Sequence, residues 1–326
     1  RSHSHPQMLC LLVWSGRVNK LIMSKQIVME YVKKYKSQID EGITTELAKR
    51  LEEVREISPH LVPIIEAMQE LSMGGKRLRG ILTILGYEMG VGNEDENKVT
   101  NLVEIVKAAV VMEIFHLGLL IQDDWMDRDE LRRGVKTLHT RYDDSHTGNF
   151  VAMLAGDVTF GWGMEMLSGL ELDSERVNKA IGVWGKYFTR VGYGQILDGL
   201  AVADEESLLQ ILALKSGEYT CVLPLQLGVS LAGGDEITTE QLGRYGMELG
   251  WVFQLRDDWL SEYGESEKTG KPVGNDAREG KRSFAVIYGR EKLENEIARH
   301  MELGKKYSQG DPRLEGLLDW MATRDR

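Results

Sequence analysis

The chain has 326 residues, 42% hydrophobic and 28% charged, ample for a large core in one or two domains. Its formal net charge of −11 argues against nonspecific nucleic-acid binding, while leaving room for local basic clusters that hold small anions. The two cysteines, Cys10 and Cys221, lie far apart without metal-type spacing, so a reducing, cytoplasmic setting is expected and a disulfide framework is not.

Residues 1–22 read as a tag or non-native leader, with Met23 a plausible natural start, and 23–326 as one domain. The apolar run Met8–Trp14 is too short to span a bilayer. Six prolines in the whole chain and long apolar runs at helical spacing predict an all-α fold. Residues 26–57 form an amphipathic helix with a break expected near Gly42. Ser58-Pro59 has the cap-then-proline pattern of a helix start, and that helix runs to about Met73.

The turn Gly74-Gly-Lys-Arg-Leu-Arg-Gly80 places three cations within four positions beside glycines, a pattern suited to cradling phosphate. Residues 81–90 are helical and 92–95 a loop. Val99–Ile121 is apolar on most sides but carries Glu104, Lys107, Glu113 and His116. It therefore reads as a central buried helix rather than a membrane span. His116 suits either a core histidine or a phosphate contact at a cavity mouth.

That run ends in Asp123-Asp-Trp-Met-Asp-Arg-Asp-Glu-Leu-Arg-Arg-Gly134. On a helix Asp123 and Asp127 share a face and repel each other. Mg²⁺, which takes a few carboxylates plus substrate phosphates, relieves that repulsion. Arg132 and Arg133 beyond them suit bidentate phosphate contacts. A second acidic helix end, Phe253-Gln-Leu-Arg-Asp-Asp-Trp-Leu-Ser261, could face the first and hold metal between them.

Between these ends, 136–139 is a connector and 150–170 and 177–200 are helices. The second of these helices projects Gln195 and Asp198 together. Asp204-Glu-Glu precedes a helix in which Lys215-Ser216-Gly217 interrupts an apolar run, a costly arrangement unless both polar groups find partners. Thr238-Thr-Glu-Gln241 resembles a capping box. Residues 265–282 form a polar loop with Lys268, Lys271, Arg278, Lys281 and Arg282, and 304–313 a second loop before a short C-terminal helix.

From Met23 onward the motifs GGKRLR, DDWMDRDELRRG, GQILD, LKSG, FQLRDD and KTGKPVGNDAREGK, in that order, resemble the trans-isoprenyl diphosphate synthases of the geranylgeranyl and farnesyl diphosphate synthase group. The resemblance implies one all-α domain of antiparallel helices around a deep central cavity, usually in a homodimer. It implies that Asp123 and Asp127 ligate metal with Asp124 in support, and that Asp257, next to Asp258, holds a further ion from the opposite wall, for three Mg²⁺ in all. Arg132, Lys215, Lys271 and Lys281 would contact the allylic diphosphate (dimethylallyl, geranyl or farnesyl). Lys76, Arg79, His116 and Arg133 would bind isopentenyl diphosphate, and Ser216 and Gln254 would stand near the reacting carbons. Two departures are visible: Ser261 replaces the last Asp of the second motif, and Ser216 replaces a threonine.

Ionisation of the allylic diphosphate, attack by the isopentenyl double bond and loss of a proton would lengthen the chain by five carbons. Product length would be set below Asp123 by Leu119, Gly118, Phe115 and Met112. Phe115 is the expected floor, which favours C20 over C15 or C25 and longer. A terpene cyclase or a non-catalytic regulatory subunit of a synthase are the alternatives. A cyclase has no use for the second diphosphate site that GGKRLR supplies.

Overall fold

The computed structural model describes residues 6–92, 101–200, 204–264 and 283–324, with the backbone alone for 6–22. The elements are helical apart from one small hairpin. They run α1 (Pro6–Ile57), a 3₁₀ turn (Pro59–Leu61), α2 (Val62–Ser72), α3 (Leu78–Val91) and α4 (Leu102–Asp127). The hairpin β1 (Leu131–Arg132) and β2 (Val135–Lys136) and a 3₁₀ turn (Leu138–Arg141) follow. Next come α5 (Ser145–Ser168), α6 (Ser174–Gly199), α7 (Glu205–Leu212), a π-helix (Ala213–Val222), α8 (Leu223–Ala232) and α9 (Glu236–Tyr263). The chain closes with α10 (Phe284–Tyr307), kinked at Gly289 (φ 75°, ψ 173°), and α11 (Pro312–Thr323).

The all-α expectation holds, and the apolar spacing explains it. On α1 the buried positions Val28, Val32, Tyr35, Ile39, Ile43, Leu47 and Val54 recur at three- and four-residue steps, or at their sum. All but Val28 join the core of α4, whose Ile105, Ala108, Ala109, Val111, Met112, Ile114 and Phe115 are almost fully enclosed. Each such Leu, Ile or Phe contributes about 2 kcal/mol of burial free energy. A second core joins α3, α8, α9 and α11 around Leu82, Leu225, Tyr245 and Leu318. Among the described residues no helix is long and apolar enough to cross a membrane.

Three local expectations need correction. Helix α1 does not break at Gly42. A Cβ there would overlap Val110 Cγ2, so the glycine lets α1 approach α4 rather than ending it. The cap of α9 is Asp235, which accepts from Thr238 N–H at 2.7 Å, so the Thr238–Gln241 capping box lies inside the first turn. A charged acceptor before the helix outcompetes a threonine hydroxyl for the free N–H groups. Helix α10 extends to Tyr307, into the expected 304–313 loop.

Candidate active site

Helix α4 carries Asp123, Asp124 and Asp127 on its last turn and is stopped by Arg128 in a left-handed conformation (φ 59°). The chain then reverses through the hairpin, whose two central residues, Arg133 (φ 54°) and Gly134 (φ 80°), have the positive φ that a tight two-residue turn requires. This reversal was not anticipated from the sequence, because an Arg-Gly pair carries a weaker turn signal than Asn-Gly. It returns Arg132 onto the helix end. Its Nε donates to both Asp124 oxygens, at 2.6 and 2.8 Å, and Nη2 lies 3.9 Å from Asp123 Oδ2. Asp124 is buried and faces Arg132, whereas Asp123 remains about a third exposed.

The π-helix supplies the facing wall. Gly217 and Gly250 meet where α9 crosses it, a Cβ on Gly250 falling 2.5 Å from Gly217 Cα. That approach lets Ser216 Oγ donate to Gln254 Oε1 at 2.7 Å. Wide π turns recur at functional sites, and neither the π-helix nor its register follows from apolar spacing. Lys215 Nζ lies 2.6 Å from Asp198 Oδ2 on α6 and 3.7 Å from Asp123 Oδ1. The cation that interrupts the apolar run therefore finds its partners. Burial alone would lower the Lys215 pKa, but Asp123 and Asp198 outweigh it and hold the value above its ordinary one. Gln195, one turn before Asp198, reaches Met126 Sδ at 3.8 Å.

Among the described residues no cation pairs directly with Asp127, although Lys215 acts on it from a distance. Burial and the neighbouring Asp123 carboxylate push its pKa up to about 6. An acidic helix end whose mutual repulsion Lys215 relieves only in part fits a divalent cation. Among the described residues, however, no group of three or more His, Cys, Asp or Glu side chains converges on a single point. On α9, Asp257 is ion-paired with Arg324 at 2.5 Å, and Arg324 in turn donates to Phe253 O. Asp258 faces inward and is buried. Arg324, just after α11, is part of this second acidic end and lies beyond the motifs.

A basic recess lies beside the first acidic end. Arg79 Nη2 donates to Thr220 at 2.7 Å and its guanidinium covers the Tyr219 ring at 4.8 Å, yet its buried Nε has no partner among the described residues. His116 Nδ1 is likewise buried and unpaired. Burial first, then the charges of Arg79, Arg132, Arg133 and Arg77, hold the imidazole well below its usual pKa and hence neutral. Arg133 is lowered by burial and by Arg132 and Arg77. Its Nη1 donates to Met73 O at 3.0 Å, beside Gly74 and Gly75. Four guanidinium charges act on His116, and with the two unpaired polar atoms they suit a multiply charged anion. Arg77 is itself committed to structure, donating to Asp40 and to Ser72 O. Lys76 stands in the same turn; Lys271 and Lys281 lie outside the described residues.

Below Asp123 the side of α4 left open carries His116, Leu119 and Leu120, all half-buried. Met112, Phe115 and Gly118 are closed off. Gly118 faces α5, where a Cβ would overlap Thr159 Oγ1 and lie 2.9 Å from Gly156 O. The Phe115 ring is fully buried and stacks on Trp184 at 4.5 Å. Trp184 stacks on Phe188, and Phe188 meets Phe160 edge-on, both at 4.6 Å. These three rings are half-buried and were not singled out from the sequence. Their signal was the four-residue spacing of Trp184 and Phe188 below Gln195.

Residues 62–317 match the polyprenyl synthetase family model. The geranylgeranyl diphosphate synthase of Methanosarcina mazei is 33% identical over 276 residues, 83% of this chain and 78% of that protein. The geranylfarnesyl diphosphate synthase of Aeropyrum pernix is 33% identical over 270 residues, 78% and 81%. A crystal structure of geranylgeranyl pyrophosphate synthase from Corynebacterium glutamicum, complexed with isoprenyl diphosphate and magnesium, superposes with a TM-score of 0.79 at 26% identity. It covers 89% of this chain and 99% of that one. With a family match over most of its length and relatives of this similarity, the chain belongs to the polyprenyl synthetase family and is a trans-isoprenyl diphosphate synthase.

Proposed function

We propose that the chain condenses isopentenyl diphosphate with an allylic diphosphate to give geranylgeranyl diphosphate. The observation that carries the C20 reading is the ring stack of Phe115, Trp184, Phe188 and Phe160 below the first acidic end. Phe115 is two turns below Asp123, about 12 Å, room for an allylic primer of two to three prenyl units of about 5 Å each, to which the condensation adds one more. Names of similarly close relatives include both geranylgeranyl and geranylfarnesyl synthases, so the ring floor rather than overall similarity selects the length. Chromatography of products from isopentenyl diphosphate and each allylic primer tests this. A dominant C20 product is expected, and a dominant C15 or C25 product would refute it. Phe115→Ala removes the support behind Trp184, and products longer than C20 should appear; an unchanged distribution in an active variant would exclude Phe115 from the floor.

Asp123, Asp127 and Asp257 are the residues that would hold Mg²⁺, three ions by family resemblance. Bound Mg²⁺ would neutralise the allylic diphosphate and make it a good leaving group. Asp257 pairs with Arg324 through Oδ1, and its side chain is 42% exposed. Arg132 holds Asp124, and Lys215 is poised between Asp123 and Asp198 to take up diphosphate oxygen. Arg79, Arg133, Lys76 and the neutral His116 form the isopentenyl diphosphate pocket. Ser216 and Gln254 orient the reacting carbons. Lys271 and Lys281 are assigned to the allylic diphosphate on motif alone. Arg79→Ala should raise KM for isopentenyl diphosphate about tenfold or more, the loss of one charged hydrogen bond. Its effect on the allylic KM should be smaller, and Lys271→Ala should do the reverse. Equal shifts of both KM values in both variants would contradict two separate pockets.

A homodimer through α5 and α6 completes the reading. These helices expose Phe150, Met153, Leu154 and Val158, and Tyr193 and Ile196, with Leu200 just past the end of α6, at helical spacing. Residence in the cytoplasm rests on the cysteine usage, Cys221 being free and buried.

A further inference from the structure

Consecutive residues on a helix point about 100° apart, so Asp257 and Asp258 cannot serve the same space. The Asp257 side chain is 42% exposed, whereas Asp258 is 4% exposed. Both Asp258 oxygens are engaged: Oδ1 accepts from Gln254 Nε2 at 2.9 Å, and Oδ2 accepts from the backbone N–H of Phe284 at 2.7 Å. Phe284 is the first residue of α10, and the Ser283 side chain before it makes no cap. A carboxylate from another helix thus satisfies the first free N–H of α10, in the short segment that precedes its kink at Gly289 (φ 75°).

The chemistry of the carboxylate dictates the rest of the chain of contacts. An ionised Asp only accepts hydrogen bonds, so the Gln254 amide must turn its NH₂ toward it. Gln254 Oε1 is thereby aimed the other way, at Ser216, whose hydroxyl donates to it at 2.7 Å. The donor in Ser216 is used up in that bond, and its lone pairs are left facing away from Gln254. The order Phe284 N–H and Gln254 into Asp258, and Ser216 into Gln254, has one possible polarity while Asp258 is a carboxylate.

We propose that Asp258 is a positioning residue rather than a metal ligand: held by the start of α10, it sets the orientation of the Gln254 amide and, through it, the direction of the Ser216 hydroxyl. The inference rests on the prenyl-transfer reading for its functional consequence but not for its geometry. Asp258→Asn separates the two. The Asn carbonyl can still cap Phe284, while its NH₂ now faces Gln254 and forces that amide to turn over. Ser216 then meets an NH₂ group and its hydroxyl proton is released from Gln254.

The test combines four measurements on the full chain. Asp258→Asn should keep its Tm within about 2 °C of wild type, and the slow amide exchange of Phe284 should persist without metal or substrate. Asp258→Ala, which lacks an acceptor, should speed that exchange more than tenfold. Asp258→Asn should lower kcat about tenfold with the Mg²⁺ concentration for half-maximal rate unchanged, in contrast to Asp257→Asn. In a double-mutant cycle with Ser216→Ala, the two kcat losses should be strongly non-additive, because both act through one hydroxyl. Additive losses, or a raised Mg²⁺ requirement in Asp258→Asn, would overturn the assignment. So would an Asp258→Asn protein that fails to fold, since the isosteric amide keeps the cap. If the wild type makes no prenyl product, the functional reading fails, while the Phe284 exchange result still reports on the geometry.

Discussion

Asp123→Ala should lower turnover about a thousandfold or more, roughly 4 kcal/mol of transition-state stabilisation, with the helical fold intact. The side chain lies at the end of α4, is partly exposed and makes no contact that the core depends on. Its carboxylate is flanked by Lys215 at 3.7 Å and Arg132 at 3.9 Å, so the acidic end is held in place without closing the space in front of it. Near-normal turnover in a folded variant would remove the metal assignment. The neighbouring Asp127 provides a readout independent of activity. Its folded-state pKa of about 6, set by burial and then Asp123, lies above the ordinary 3.8. A raised carboxyl pKa stabilises the fold below 3.8, and that contribution is lost as pH rises through about 6. At pH 7.5 the ionised side chain is therefore a burden on the metal-free protein. Asp127→Asn should raise Tm in EDTA and abolish the Tm increase given by Mg²⁺ with inorganic diphosphate. A lower Tm in EDTA would mean that the carboxylate is compensated within the protein.

Gly118→Phe is expected to unfold or severely destabilise the protein rather than shorten its product. The position is five residues before Asp123, where a ring on the open side of α4 would fill the cavity. In the folded chain it points at α5. Even a methyl group would overlap Thr159 Oγ1, which is buried and already donates to Gly156 O at 2.6 Å. Gly118→Ala should cost about 3 kcal/mol, the upper range for forcing atoms into a packed core, and the phenyl ring more. Thermal denaturation of the alanine variant measures this directly. A Tm within a degree or two of wild type would mean that α4 and α5 separate easily at this crossing. Leu119 and Leu120, on the half-buried side, are the positions where an aromatic substitution tests cavity depth without disturbing that contact.

Much of the protein was legible in its residues before any coordinates. Apolar spacing along α1 and α4 marks helices because burial on one side of a 3.6-residue repeat is a property of the local chain. The acidic ends, the basic turn and Lys215-Ser216 were recognisable because charged groups in or beside apolar runs are costly without partners. What the residues could not determine was direction and pairing. Whether Gly118 or Leu119 faces open space depends on which neighbouring helix lies against each side of α4, and that is decided by α5. Asp257 and Asp258 are identical in composition and adjacent in sequence. One reaches Arg324 and the other caps α10 only because segments 67 and 26 residues away pack against them. The π-helix and the Arg133-Gly134 turn are likewise set by what they bring together: Ser216 with Gln254, and Arg132 with Asp124. Local sequence determines which side chains are able to do chemistry, and long-range packing determines which of them meet.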